Sequence, residues 1–88
     1  MSIEWNPLKS ERLKRTRGIS FEEILSAQLI AVKDHPKRKN QKIMIFRHKR
    51  QYWIVPFVSE GKKIFLKTLY PSRKYKKIYE EGRKNEKN

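Results

Sequence analysis

The sequence predicts an α+β domain, with helix signals gathered early and alternating strands after residue 41. Three observations carry this expectation. Asn6-Pro7 is a capping residue followed by the one residue that opens a helix without losing a bond. Ser20 and Glu23 form a capping box, with Ile19 and Ile24 at the positions of a hydrophobic staple. Between residues 42 and 70 apolar and polar side chains alternate, in runs bounded by short turns.

Taken in order, Ile3 to Trp5 is a short extended segment able to add a strand to a sheet. The first helix starts at Pro7, shows a thin apolar stripe of Leu8 and Leu13, and ends at Gly18, the residue suited to a left-handed cap. The second helix starts at Phe21. Phe21, Ile24, Leu25, Gln28, Leu29 and Val32 recur at helical spacing, so it is expected to run to Val32 and cover the sheet. Residues 33–41 are a polar connection in which Pro36 holds His35 extended. Strands 42–47 and 51–58 should pair as a hairpin through His48-Lys49-Arg50, and Pro56 marks an edge or a bulge.

After a turn at Ser59-Glu60-Gly61, strand 62–70 completes a three-stranded antiparallel meander. Strict alternation puts Ile64, Leu66, Thr68 and Tyr70 on one face and Phe65, Lys67 and Leu69 on the other, until Pro71 withholds a donor. Ser72 then caps a short C-terminal helix carrying Arg73, Lys74, Lys76 and Lys77, where the free N–H groups also attract anions. One domain is expected over residues 1–80, with a polar tail over 81–88 that frays.

Composition narrows the function. Lys and Arg number 23 against 9 Asp and Glu, a net +14 in 88 residues, which points to RNA, DNA or an acidic protein as partner. With no cysteine and two isolated histidines there is neither a disulfide framework nor a zinc cage, and no metal or cofactor is expected. No apolar run approaches the roughly 20 residues of a spanning helix, and the first residues lack a signal peptide's apolar centre, so a cytoplasmic protein is expected.

The charge is concentrated. Residues 33–50 hold eight cations against one carboxylate, and residues 62–88 hold ten against three, so each stretch carries a net +7. In a meander the turn at Arg47, Lys49 and Arg50 lies at the same end of the sheet as the segment after Pro71. Ser72, Lys74, Tyr75 and Lys77 would then join that turn in one groove for a polyphosphate. Tyr75 and Tyr79 are equally suited to stacking on bases and to packing, whereas Trp53, Phe57 and Phe65 read as core. His48 reads as solvated turn.

The order Ile3-Glu4-Trp5-Asn6, Arg17-Gly18-Ile19-Ser20-Phe21-Glu22-Glu23-Ile24, Phe65-Leu66-Lys67-Thr68, Pro71-Ser72-Arg73-Lys74 and Tyr79-Glu80 resembles the BrnT-like toxins of bacterial type II toxin–antitoxin pairs. The likeness spans most of the chain up to residue 80. It implies a RelE-like fold and a metal-independent endoribonuclease, an mRNA interferase that blocks translation and is neutralised by an acidic antitoxin. Ser72, Arg73, Lys74 and Tyr79 match the late family motif, and Lys67 and Thr68 the strand before it. The chain departs from the common pattern at Tyr75, where a small residue is usual, and in its basic 47–50 turn.

Metal-free RNA cleavage needs the 2′-hydroxyl deprotonated, the phosphorane charge stabilised and the leaving 5′-oxygen protonated. The catalytic expectation is therefore Lys67 and Arg73 on the phosphate, with Tyr79 or His35 in proton transfer and Lys74 positioning the backbone. RNA, the antitoxin and the ribosome are the candidate partners, with no membrane. The competing reading is a non-enzymatic RNA- or DNA-binding protein, such as a ribosome-associated factor, using the same charge.

Overall fold

The computed structural model describes residues 2–81. Its elements are β1 (Ser2–Glu4), α1 (Pro7–Arg17), α2 (Phe21–Leu25), β2 (Gln28–Asp34), β3 (Lys42–His48), β4 (Gln51–Glu60), β5 (Lys63–Leu66), β6 (Tyr70–Pro71) and α3 (Arg73–Lys76), followed by a π-helical turn (Lys77–Glu81). The strands form one sheet in the order β1-β5-β4-β3-β2, with β6 also paired to β4. All pairings are antiparallel except β1 with β5. The architecture is α+β, as the sequence predicts. The expected frayed tail, from residue 82 onward, lies outside the described residues. Among the described residues, no helix is long and apolar enough to cross a membrane.

Local chemistry sets the helix boundaries. The Asn6 side chain accepts the Leu8 and Lys9 amides, and Gly18 closes α1 at φ 80° with its N–H on the Lys14 carbonyl. The capping box at Ser20 and Glu23 is complete. Lys14 donates to the Glu23 carboxylate (2.9 Å), the Ser20 amide adds a second bond (3.1 Å), and together they hold that carboxyl at about 2, well below the usual range. Leu8 is 70 % exposed, and the residue α1 buries beside Leu13 is Ser10. The Ser10 hydroxyl accepts the buried Phe21 amide at 3.0 Å and donates to Glu22, locking α1 to α2.

Three expectations are corrected. The second helix does not reach Val32; it stops at Leu25, and Gln28–Asp34 is an edge strand on β3. Leu29, Ile30 and Val32 satisfy helical and extended patterns alike, and pairing with β3 decides between them. The meander therefore has a further strand on its outer side. Phe65, expected in the core, is 39 % exposed.

The third correction concerns strand 62–70, which is broken. Phe57 pairs with Leu66, but the next pair in the other direction is Ile54 with Tyr70. Val55 and Pro56 thus face the three residues Lys67–Leu69, one more than a regular ladder allows, which makes the interruption a bulge. Pro56 explains its position. The Pro56 carbonyl accepts the Lys67 amide at 2.8 Å, so the proline nitrogen, which has no hydrogen, points to that same side. Pro56 is buried inside β4, not on an outer edge, and the gap lies where its donor is missing. The chain then rejoins β4 and continues through Pro71, paired with Trp53, before Ser72.

The extra residue reverses facing downstream. Leu66 and Leu69 both enter the core under α1 and α2, with Phe21, Ile24, Met44, Phe46, Trp53, Val55 and Phe57. Tyr70 instead joins the opposite face. There Ile43, Ile45, Tyr52 and Ile54 are covered by Tyr70, Tyr75 and Tyr79, so all four tyrosines of the chain lie on one side of the sheet.

Ser10→Ala is expected to cost about 1–3 kcal/mol in denaturant unfolding, because it leaves the Phe21 amide buried without a partner. Leu8→Ala should change stability by no more than about 0.5 kcal/mol. Equal effects of the two would contradict the role given to Ser10.

Candidate nucleic-acid interface

The tyrosine face brings the two cationic stretches together. Ser72 donates its amide to the Tyr52 carbonyl (2.8 Å), which ties the segment after Pro71 to the β3–β4 hairpin. Its hydroxyl accepts the Tyr75 amide (3.2 Å) and starts α3 as expected. That helix is a single turn, so the side chains rather than a helix dipole supply its positive charge.

The hairpin turn itself is built against preference. Lys49 and Arg50 have φ of 50° and 66°, the left-handed conformations that two-residue turns normally assign to Asn and Gly. Long side chains held there cost stability and project two cations from the sheet end. Arg47, on the last part of β3, pairs with Glu80 (3.4 Å), which anchors the C-terminal turn.

Tyr75 and Tyr79 are half-buried and engaged. Tyr79 stacks on Tyr52 with centroids 5.8 Å apart and planes within 7°, and Tyr75 lies 6.1 Å from Tyr79. Lys33 Nζ sits 5.6 Å and 5.7 Å from the centres of these two outer rings, and Lys74 Nζ lies 5.8 Å from Tyr75. Packing is thus their observed role, and the cations over them form the outer layer of the second core. Lys74 and Lys77 are exposed.

The expected catalytic residues do not share one cavity. Lys67 and His35 line a cleft of about 410 Å³ together with Lys9, Lys37, Arg38, Thr68 and Tyr70. Arg73 lines a second cleft of about 460 Å³ with Gln51, Tyr52, Pro71, Ser72 and Lys76. Tyr79 borders a third, beside Arg47 and Glu80. The first two are set along β4 by Pro56 and Tyr52, a distance of roughly 13 Å at strand rise. They are separate clefts along the length of β4.

His35 is held by its loop. Its amide donates to the Gln41 carbonyl (3.1 Å), and its Nδ1 accepts the amides of Lys37 (3.0 Å) and Arg38 (3.1 Å). Those two bonds assign the ring proton to Nε2, leaving that nitrogen as a donor. Acting as a base through Nε2 would require the other tautomer and would forfeit both bonds. Tyr70 and Lys9 also line the first cleft, and no local signal in the sequence marks them, since only the bulge puts Tyr70 beside Lys67.

The fold is similar to that of a solved structure, the 1.1 Å crystal structure of the Brucella abortus ribonuclease toxin BrnT, with a TM-score of 0.54 over 82 % of this chain and 96 % of that one. The chain has the BrnT fold. Identity is 19 %, so the BrnT likeness is one of backbone architecture. No protein-family model matches the sequence, and no curated protein matches it.

Replacing the strained turn by Lys49→Asn with Arg50→Gly should raise unfolding stability by about 1–2 kcal/mol while weakening retention on a polyanion such as heparin. Unchanged stability would show that the left-handed cations cost nothing.

Proposed function

We infer that the protein is a ribonuclease toxin of a toxin–antitoxin pair, a metal-independent endoribonuclease acting on single-stranded RNA. The observation that carries this reading is the cleft holding Lys67, His35 and Tyr70 on the tyrosine face of a BrnT fold. It supplies clustered positive charge, a fixed hydrogen-bond donor and a phenol, without a carboxylate in its lining.

In this reading an RNA strand lies across the sheet, with one phosphate at Lys67 and another, further along the strand, at Arg73 and Lys76. The 2′-oxygen attacks phosphorus, the bond to the 5′-oxygen breaks, and the products are a 2′,3′-cyclic phosphate and a free 5′-hydroxyl. Lys67 and Lys9 stabilise the phosphorane charge, and His35 Nε2–H donates to a non-bridging oxygen. The Tyr70 phenol donates to the departing 5′-oxygen, while the 2′ proton leaves to water in the open cleft. Lys49, Arg50, Lys74 and Lys77 extend the phosphate contacts. An acidic antitoxin would neutralise the protein by covering this face.

Expression of the wild-type protein should arrest growth, and co-expression of its antitoxin should restore it. In single-turnover assays at saturating RNA, Lys67→Ala should lower cleavage about a hundredfold. Arg73→Ala should mainly weaken binding. Full-rate cleavage by a Lys67→Ala, His35→Ala double variant would remove this cleft from the mechanism. Tight RNA binding with neither cleavage nor growth arrest in the wild type would instead leave a non-enzymatic binder.

A further inference from the structure

We propose that the outer edge of β2, Gln28–Asp34, is a docking surface for an extended acidic segment of a protein partner, which joins the sheet as a further strand with apolar and acidic residues in alternation. It rests on the toxin–antitoxin reading for the partner's role as an inhibitor, and adds the surface and the chemistry by which that partner is held.

β2 stands at the end of the strand order and pairs with β3 alone. Among the described residues its backbone makes no bond outside that ladder, so one row of N–H and C=O groups is open to another chain. The register with β3 sorts the side chains by face. Leu29 and Val32 oppose Phe46 and Met44, which belong to the core under the helices, whereas Ala31 and Lys33 oppose Ile45 and Ile43 of the tyrosine face. The bulge between Leu29 and Ala31 puts Ile30 on the tyrosine side as well.

The two sides of this edge ask for different things. On the helix side α2 has stopped at Leu25, and Leu29 and Val32 are left 50 % and 52 % exposed. Half-bare aliphatic side chains beside an open ladder are what sheet edges are normally built to avoid. On the tyrosine side the edge is cationic. Lys33 Nζ lies over Tyr75 and Tyr79 and Lys74 Nζ over Tyr75, while the strand's own residues there, Gln28, Ile30, Ala31 and Lys33, include no carboxylate. The pleat forces alternation on any added strand, so one that lays apolar side chains beside Leu29 and Val32 turns its intervening residues towards these ammonium groups, where Asp or Glu fits. A second copy of the chain fits poorly: it brings another net +14 to the same edge, and symmetric pairing about Lys33 sets that lysine against itself. β2 lines neither the Lys67 cleft nor the Arg73 cleft, so this contact is separable from the proposed RNA contact.

The test titrates isotope-labelled protein with a capped octapeptide of alternating valine and glutamate. Its controls are the same composition in two blocks, an alternating valine–lysine peptide, and the acidic peptide with two central valines replaced by proline. The alternating acidic peptide should shift the amides of residues 28–34 and bind at least about tenfold more tightly than the block and proline controls, with no binding of the lysine peptide. Leu29→Ser with Val32→Ser should weaken the peptide about tenfold and leave RNA binding unchanged. The proline control makes the same point without altering the protein. Equal affinity for alternating and block peptides, shifts confined to the clefts, or a dimer of the free protein held through residues 28–34 would each overturn the proposal. Peptide binding by a protein that cleaves no RNA keeps this edge and loses the ribonuclease reading, and RNA cleavage without peptide binding does the reverse.

Discussion

The architecture turns on one missing hydrogen. Pro56 sits inside β4 with no N–H to give on the side where β5 ends, and the facing chain answers with an extra residue between Leu66 and Tyr70. Regular pairing would have sent Tyr70 under the helices and Leu69 out to solvent. With the bulge, Leu69 closes the helix-side core, Tyr70 crosses to the other face, and Lys67 is left at the gap between strands. The same detour carries the chain back along β4, so that Arg73 emerges beside the hairpin. One residue of slippage thereby organises both clefts.

The second consequence is a core that is polar on its outside. The helix side is sealed by aliphatic and aromatic side chains, but the other face is covered by tyrosines, and those by lysines. Lys33 lies near two rings, and Arg47 holds the C-terminal turn through Glu80. Each cation–ring contact of this exposed kind contributes about 0.5–1 kcal/mol. This arrangement lets a chain with net charge +14 keep an apolar layer beneath a cationic surface. It also limits what the tyrosines do. Tyr75 and Tyr79 are engaged in holding the terminal segment down, so the clefts around them are what the proposed RNA contact would use.

Much of this was legible wherever a signal is local. Caps at Asn6, Ser20 and Ser72 and the left-handed Gly18 follow from side-chain chemistry within a few residues, and the structure has each of them. The hairpin and its cationic turn were legible for the same reason, and with them the meeting of the turn and the segment after Pro71. What depended on distant partners was not. Residues 28–32 read as helix because their spacing fits both states, and the free edge of β3 makes the choice. Ser10 looked like an ordinary helical serine, since its partner amide is eleven residues away. Pro56 announced an edge or a bulge without deciding between them or saying which strand would carry the extra residue, and the facing of Tyr70 and Leu69 hung on that. Lys67, His35, Arg73 and Tyr79, expected to act together, line three separate clefts.

The tyrosine face is the surface proposed to receive RNA. The most direct measurement is the set of backbone amide shifts produced by a 2′-O-methyl RNA oligonucleotide that binds without being cleaved. Shifts concentrated at Lys9 and at residues 35–38, 49–52 and 67–76, fading along the rest of α1, are the predicted result. Shifts confined to α1 and α2, with the Pro56 bulge and the hairpin turn unmoved, would contradict it.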